Sequence, residues 1–169
     1  HHGRWILERL EEWGIEHNFI EMEEVETRTN LKIVEEEVDR VTDINEPGSP
    51  IDENAISRFL DVYDDAIKQA EIAVLSGSLP PGVPADFYGT LIDRAKQYSV
   101  KVYLDADGPA LKEGIRHCPY AVKPNLTELE GLVGRLLEDE EDRFAAARSL
   151  LDQGIRLVAL SMGAEGAWF

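Results

Sequence analysis

Short apolar runs alternate with amphipathic segments through the second half of the chain, and this alternation limits the possible folds more than any other feature. Short apolar runs predict strands, and apolar residues at helical spacing predict the helices between them. The predicted strands are 72–75, 101–104, 121–122 and 157–160, and the predicted helices are 85–97, 109–115, 126–132 and 142–153. Because strands that alternate with helices form a parallel sheet, we predict an α/β fold whose sheet is covered by helices on both faces.

The first half of the chain carries different patterns. Apolar residues at helical spacing between residues 5 and 13, followed by Gly14, predict an amphipathic helix with a glycine C-cap. Alternation of apolar and polar residues over 29–45 predicts a β-hairpin. After it, Asp52 is predicted to be the N-cap of a long helix.

Charge and composition exclude several kinds of partner. Asp and Glu number 34 against 17 Lys and Arg, and the formal net charge of −17 repels nucleic acid and anionic membranes. No apolar run approaches the roughly 20 residues that span a bilayer. The single cysteine, Cys118, cannot form an internal disulfide, which favours a reducing compartment. We expect a soluble, cytoplasmic protein that binds neither nucleic acid nor membrane, with one domain over residues 1–169.

The loops that follow the predicted strands are the candidate ligand sites, because open α/β sheets bind ligands outside the carboxyl ends of their strands. After the first strand, the small residues of 76–78 would let backbone amides and the Ser78 hydroxyl approach a hydroxyl or phosphate group. A simple strand-to-helix turn explains these residues equally well. After the fourth strand, Ser161, Gly163 and Gly166 could line the phosphates or ribose of a nucleotide, although a glycine-rich loop alone is unspecific.

Charged and amide side chains follow the other two predicted strands. Lys123 is a mobile cation for phosphate, and Asn125 and Glu128 could reach a magnesium shell. Asn125 and Glu128 also form a capping-box pattern, which would explain them as helix-start stabilisers. Asp105 and Asp107 could help to hold a cation, or they could form an Asx-turn before the next helix. Both alternatives stay open at each position.

Two polar residues lie at the start of the predicted hairpin. Arg28 could bind a phosphate bidentately while Asn30 bonds a sugar hydroxyl. An anionic ligand needs local cations in a protein of such negative charge, and Arg28 and Lys123 are candidates for that reason. A solvated, exposed arginine is the alternative for Arg28, since most charged side chains lie at the surface.

Six segments of the chain, taken in order, are similar to motifs of the PfkB carbohydrate kinase family. The segments are 27–33, 42–48, 76–82, 104–108, 123–128 and 161–166. Each is unspecific alone, but together they follow the family's order and spacing through essentially the whole chain. The sequence Thr-Asp-Ile-Asn-Glu at 42–46 resembles the 1-phosphofructokinase branch most, with tagatose-6-phosphate kinases next.

The resemblance implies a ribokinase-like fold, in which helices flank a parallel sheet and the hairpin at 29–45 forms a small β-lid. It also implies a kinase that uses ATP and Mg²⁺, acts on a small-molecule phosphosugar, and forms a homodimer through the lid. The residues that would bind the sugar phosphate are Arg28, Asn30 and Ser78. The nucleotide would contact Lys123, Asn125, Ser161, Gly163 and Gly166, and the metal would be served by Glu128 and Asp105.

The chain departs from the family pattern at both ends. It contains neither the opening strand with a Gly-Gly-Lys-Gly-like loop nor the Gly-Ala-Gly-Asp motif, whose Asp deprotonates the accepting hydroxyl. We therefore expect the catalytic base downstream of Phe169, no catalytic residue in this chain, and no activity of the 169 residues alone. The predicted reaction converts fructose 1-phosphate to fructose 1,6-bisphosphate. The alternatives are tagatose 6-phosphate or fructose 6-phosphate as substrate, or a non-catalytic sugar-phosphate-binding protein.

Overall fold

A computed structural model of the chain describes residues 2–22, 25–35 and 40–169. The chain divides into two compact units. The first, here called the hairpin unit, runs to residue 62 and includes 80–83; the second, the sheet unit, comprises 63–79 and 84–169. Among the described residues, no helix is both long enough and apolar enough to cross a membrane.

The hairpin unit begins with helix α1, His2–Glu12. The helix ends as the sequence predicts, because Gly14 adopts a positive φ of 65° and the Ile15 N–H donates to the Leu10 carbonyl at 2.9 Å. No residue of α1 is buried, and Trp13, just beyond its end, is 70% exposed. The apolar periodicity thus predicts the helix correctly, although none of its apolar residues is fully buried.

The predicted hairpin is present as strands β1, Asn30–Glu35, and β2, Arg40–Asn45. The strands pair antiparallel, with Leu31 opposite Ile44. The turn that joins them, residues 36–39, lies outside the described residues. Every residue of β1 is exposed, so the hairpin has no buried face of its own within this unit.

A long helix, α2, Glu53–Ile67, follows the hairpin and runs from one unit into the other. Asp52 is its N-cap as predicted, since its Oδ1 accepts a hydrogen bond from the Ala55 N–H at 2.7 Å. Near the other end, Tyr63 already belongs to the sheet unit, and within that unit its hydroxyl donates to the Leu91 carbonyl at 3.0 Å.

The sheet unit is built on four parallel strands in chain order, β3-β4-β5-β6. Its elements, with the closing hairpin, are β3 Ile72–Ser76, α3 Phe87–Gln97, β4 Lys101–Asp105, α4 Gly108–Arg116, β5 Ala121–Val122, α5 Leu126–Val133, α6 Glu140–Asp152, β6 Leu157–Val158, β7 Leu160–Ser161 and β8 Ala167–Trp168. The predicted α/β class, a parallel sheet flanked by helices, is confirmed.

One face of this sheet forms the core. Leu75, Leu104 and Val122 are neighbours in register on β3, β4 and β5, and all three are buried. Helix α4 lies close against them, since a Cβ at Gly114 would come within 2.7 Å of the Leu104 Cδ2 atom.

The other face of β3 is not covered. Ile72 and Val74 are 52% and 68% exposed, so the prediction of a buried strand at 72–75, in a sheet with both faces covered, is wrong for this strand. An apolar run shows that a strand suits burial, but it does not show whether a covering element is present on either side.

The predicted strand at 157–160 is divided in the structure. Its first half, β6, pairs parallel with β5, and its second half, β7, pairs antiparallel with β8. A short 3₁₀ helix, Gly163–Glu165, connects β7 to β8. The change of partner takes place within one continuous apolar run, so the sequence pattern gives no sign of it.

Candidate functional site

The carboxyl ends of the parallel strands meet along one edge of the sheet unit. The Gly77 N–H donates to the Asp105 carbonyl at 3.0 Å, and the Lys123 N–H donates to the Leu104 carbonyl at 3.1 Å. At the next position, the Ser161 N–H donates to the Pro124 carbonyl at 2.9 Å. Backbone hydrogen bonds therefore join four successive loops, which we call the strand-end edge.

The loop after β3 is fixed by a buried tyrosine. The Tyr88 hydroxyl, on α3, donates to the Gly77 carbonyl at 2.9 Å, and Gly77 has a positive φ of 102° that favours glycine. Burial raises the pKa of Tyr88, and the charges of Asp107 and Asp105 raise it further. The hydroxyl therefore stays protonated and keeps donating, which holds the backbone next to the exposed Ser78 in place.

A cation and a carboxylate lie together beside that loop. The Lys123 Nζ atom is 3.1 Å from the Asp105 Oδ1 atom, and both side chains are partly exposed. Asp107 is the N-cap of α4, but its side chain makes no capping hydrogen bond with the part of the chain that the structure describes. The edge thus offers one ammonium group for phosphate and a carboxylate that can serve a cation.

The helix start at Asn125 is a complete capping box. The Asn125 side chain accepts from the Glu128 N–H at 2.9 Å, and the Glu128 Oε2 atom accepts from the Asn125 N–H at 2.9 Å. The capping alternative is confirmed, although it does not exclude ligand binding. The Glu128 Oε1 atom also accepts from the Asn125 Nδ2 atom at 2.8 Å. A carboxylate has about four acceptor positions, so Glu128 can accept both bonds and still bind a metal-bound water.

A small open pocket lies where the loop after β7 faces the start of α5. Its volume is about 220 Å³, and its lining residues are Asn125, Leu126, Thr127, Arg143, Ser161, Met162, Gly163 and Glu165. Gly166 lies outside the lining but closes the turn, because its carbonyl accepts from the Met162 N–H at 2.9 Å. The structure therefore brings Asn125, Ser161 and Gly163 to one cavity.

Arg143 is a pocket residue that the sequence interpretation missed. It lies in the first turns of α6 directly after three acidic residues, and its Nη1 atom is 3.3 Å from the Glu165 Oε2 atom. A cation near a helix N-terminus is electrostatically unfavourable, because that end of the helix carries partial positive charge. The acidic residues directly before Arg143 offset much of that cost, so the helix pattern does not indicate that Arg143 lines a pocket.

Arg28 and Asn30 lie in the hairpin unit. The Thr29 N–H between them donates to the Glu46 Oε2 atom at 2.8 Å. Arg28 also lies beside the turn after β2, since a Cβ at Gly48 would be 3.6 Å from the Arg28 Cβ atom. The segments 27–33 and 42–48, which are separate in sequence, are therefore brought together. Ser78 belongs to the sheet unit.

Metal ligation by the protein alone is limited. Within residues 2–22, 25–35 and 40–169, no group of three or more His, Cys, Asp and Glu side chains is arranged to hold a metal ion. Magnesium differs from metals that need such a cage, because one or two carboxylates with substrate phosphates and water are its usual ligands. Asp105 and Glu128 have the chemistry of that kind of site.

These features define a class of protein: an α/β fold whose candidate ligand site is the carboxyl edge of a parallel sheet, with groups suited to a phosphorylated ligand. The family model for pfkB family carbohydrate kinases matches residues 1–169. The chain belongs to this family.

Curated relatives with similar sequences are named 1-phosphofructokinase. The protein from Xanthomonas campestris pv. campestris is 41% identical over 148 residues, which cover 85% of this chain and 46% of the relative. The protein from Rhodobacter capsulatus is 42% identical over 145 residues, which cover 83% of this chain and 45% of the relative. The chain thus spans about half the length of the curated relatives that it matches.

Solved structures share the fold. Phosphofructokinase-2 from Escherichia coli in complex with fructose-6-phosphate matches with a TM-score of 0.84 and 28% identity, over 98% of this chain and 55% of that one. The tetrameric inhibited form of the same enzyme matches with a TM-score of 0.82 and 28% identity, over 98% of this chain and 54% of that one.

Proposed function

We propose that the whole protein is an ATP-dependent phosphosugar kinase that phosphorylates fructose 1-phosphate to fructose 1,6-bisphosphate. The observation that carries the proposal is the strand-end edge, where hydrogen-bonded loops bring Lys123 beside Asp105 and Asn125 beside Ser161. Phosphoryl transfer depends on positioning and electrostatic stabilisation, and a backbone-linked edge with these groups suits both. Relatives at 41% and 42% identity that are named 1-phosphofructokinase support the choice of sugar.

At the nucleotide side, Lys123, Asn125, Ser161, Gly163 and Gly166 are the proposed contacts. Lys123 would leave its ion pair with Asp105 and neutralise phosphate charge instead. Gly163 and Gly166 have positive φ values of 56° and 94°, which favour glycine. Because glycine has no side chain, the backbone of the loop stays accessible where a ligand would approach. Asp105 and Glu128 would hold Mg²⁺, which supplies charge neutralisation of the transferred phosphoryl when bound.

At the sugar side, Arg28, Asn30 and Ser78 are the proposed contacts. The guanidinium of Arg28 can bind a phosphate bidentately, and the amide of Asn30 and the hydroxyl of Ser78 suit sugar hydroxyls. No residue of this chain is assigned as the general base, because its 169 residues contain no Gly-Ala-Gly-Asp sequence. We expect these residues alone to bind ligands without turnover.

A homodimer through the hairpin is part of the proposal. Leu31, Ile33 and Ile44 are exposed on strands whose apolar side chains would gain from burial against a second copy. The tetrameric form described for phosphofructokinase-2 from Escherichia coli supports association within the family, without specifying the same interface.

The test is a kinetic comparison on the complete gene product. Fructose 1-phosphate, fructose 6-phosphate and tagatose 6-phosphate are assayed with ATP, and we expect the highest kcat/KM with fructose 1-phosphate. A higher value with another sugar would replace the substrate, and no turnover of any of them would favour the sugar-phosphate-binding alternative.

Arg28→Ala tests the sugar side of the site. We expect its KM for phosphosugar to rise about tenfold or more, the loss typical of a charged hydrogen bond, while the KM for ATP stays within about twofold. Arg40→Ala, in the same hairpin unit and partnered only at 3.6 Å by Glu35 in the described contacts, is the matched control. Equal rises in both KM values would refute the role given to Arg28.

A further inference from the structure

Arg143 is a basic residue of the pocket that neither the family motifs nor the sequence pattern assigned. Only 18% of its side chain is exposed, although it lies on an acidic helix start where a surface arginine would ordinarily extend into solvent. It lines the same pocket as Asn125, Ser161 and Gly163, which are proposed nucleotide contacts. Its position therefore places positive charge inside that pocket.

The hydrogen-bonding capacity of Arg143 is mostly unused within the described residues. A guanidinium has five N–H donors. Its Nη1 atom meets Glu165 at 3.3 Å, while its Nε atom is buried and has no acceptor in the part of the chain that the structure describes. The Glu165 side chain is 69% exposed, so this one ion pair is weak and readily exchanged.

We propose that Arg143 is an anion-binding residue of the pocket, which contacts a phosphate group of the bound nucleotide after exchanging Glu165 for it. The inference rests on the proposed function, since it requires a nucleotide at the loop of Ser161 and Gly163. The planar fork of Arg143 fits phosphate oxygens better than it fits a single distant carboxylate oxygen. A second cation also suits a chain of net charge −17, in which Lys123 is already beside Asp105.

Nucleotide affinities of the complete gene product, measured by titration calorimetry, test this role. ADP and adenosine are the probes, because they differ only in the phosphates. We expect Arg143→Gln to weaken ADP binding about tenfold and to change adenosine binding by less than about twofold. The control is Arg148→Gln, which removes the same charge from an exposed position on the same helix and should leave both affinities unchanged.

Glu165→Gln tests the exchange, because it should act in the opposite direction. Without the competing carboxylate, ADP should bind severalfold more tightly, and this gain should disappear when Arg143→Gln is also present. If Arg143 only tied α6 to the loop of Glu165, both single changes would weaken ADP and adenosine binding alike. Arg143→Lys keeps the charge and should retain part of the ADP affinity. If Arg143→Gln fails to fold, the ADP and adenosine affinities of Arg143→Lys test the role of Arg143 instead.

The outcomes separate this inference from the proposed function. If the unchanged protein binds ADP and ATP but Arg143→Gln behaves like Arg148→Gln, the role of Arg143 is overturned and the kinase proposal stands. If the unchanged protein binds neither nucleotide, the kinase proposal fails and the inference fails with it.

Discussion

The two units of the molecule use their apolar residues differently. In the sheet unit, Leu104, Leu129 and Leu160 are fully buried, and successive loops are joined by backbone hydrogen bonds. In the hairpin unit, α1 buries no residue and every residue of β1 is exposed. A local sequence pattern is enough to form a helix or a strand, whereas burial of its apolar side chains requires another element that packs against them.

We expect this difference in packing to affect ligand binding. The proposed nucleotide contacts lie on loops that are fixed by their neighbours, and preorganised groups bind with less loss of conformational entropy. Arg28 and Asn30, the proposed sugar contacts of the hairpin unit, lie on or beside strands with little packing of their own. We therefore expect the sheet unit to control stability and nucleotide binding, and the hairpin unit to control sugar binding and association.

The largest expected effect is on the core of the sheet unit. Leu104→Ala should lower the free energy of unfolding by about 2–5 kcal/mol, because it opens a cavity beneath α4. Leu31→Ala, on the exposed hairpin, should change it by less than about 0.5 kcal/mol. Urea unfolding followed by circular dichroism measures both. Equal costs would contradict the difference in packing between the two units. A cost of Leu31→Ala that grows with protein concentration would place Leu31 in a subunit interface.

The next effect separates nucleotide binding from stability at the strand-end edge. Lys123→Met should lower kcat/KM for ATP by about 10- to 100-fold in the complete gene product, the range expected for a lost charged hydrogen bond. Its ion pair with Asp105 is largely exposed, so unfolding should become easier by less than about 1 kcal/mol. Lys112→Met, at an exposed position on α4, is the control and should change neither. A stability loss without a kinetic loss would make Lys123 structural.

We expect Asn125 to contribute both to helix stability and to nucleotide binding. Asn125→Ala should cost about 1 kcal/mol of stability through the lost cap, and it should also weaken ATP binding. Asp52→Ala removes a comparable cap from α2, where the Asp52 Oδ1 atom accepts from the Ala55 N–H at 2.7 Å, and it should cost similar stability. ATP affinity that falls equally in both variants would mean that Asn125 acts only by capping its helix.

The smallest expected effect concerns pH. Burial, together with the charge of Asp64, raises the pKa of Tyr63 to about 12, and its hydroxyl donates to the Leu91 carbonyl. Because the folded pKa lies above the ordinary value near 10, this stabilisation is complete below about pH 10 and is lost as pH rises towards about 12. Tyr63→Phe should be less stable by about 1 kcal/mol near pH 8, and the difference should shrink near pH 11. A difference that is constant over this range would contradict the assignment.

Sequence predicted most of the elements because their ends carry local signals. Asp52 and Gly14 cap helices as predicted, and the pair Asn125 and Glu128 forms the predicted capping box. These signals involve neighbours in sequence, so one chain is enough to identify them.

The missed features depend on neighbours that are distant in sequence. The 68% exposure of Val74 depends on which elements pack against β3, and the separation of β7 from β6 follows from pairing with β8. The pocket position of Arg143 depends on a loop that begins beyond β7. Apolar periodicity contains none of this information.

Hydrogen–deuterium exchange of the complete gene product, with and without ATP and Mg²⁺, tests most directly whether the strand-end edge is the nucleotide site. We expect added protection in the loops at 76–78, 105–108, 123–128 and 161–166, with little change in α1. Protection that is absent from these loops, or that is confined to the hairpin unit, would contradict the assignment of the nucleotide to the sheet unit.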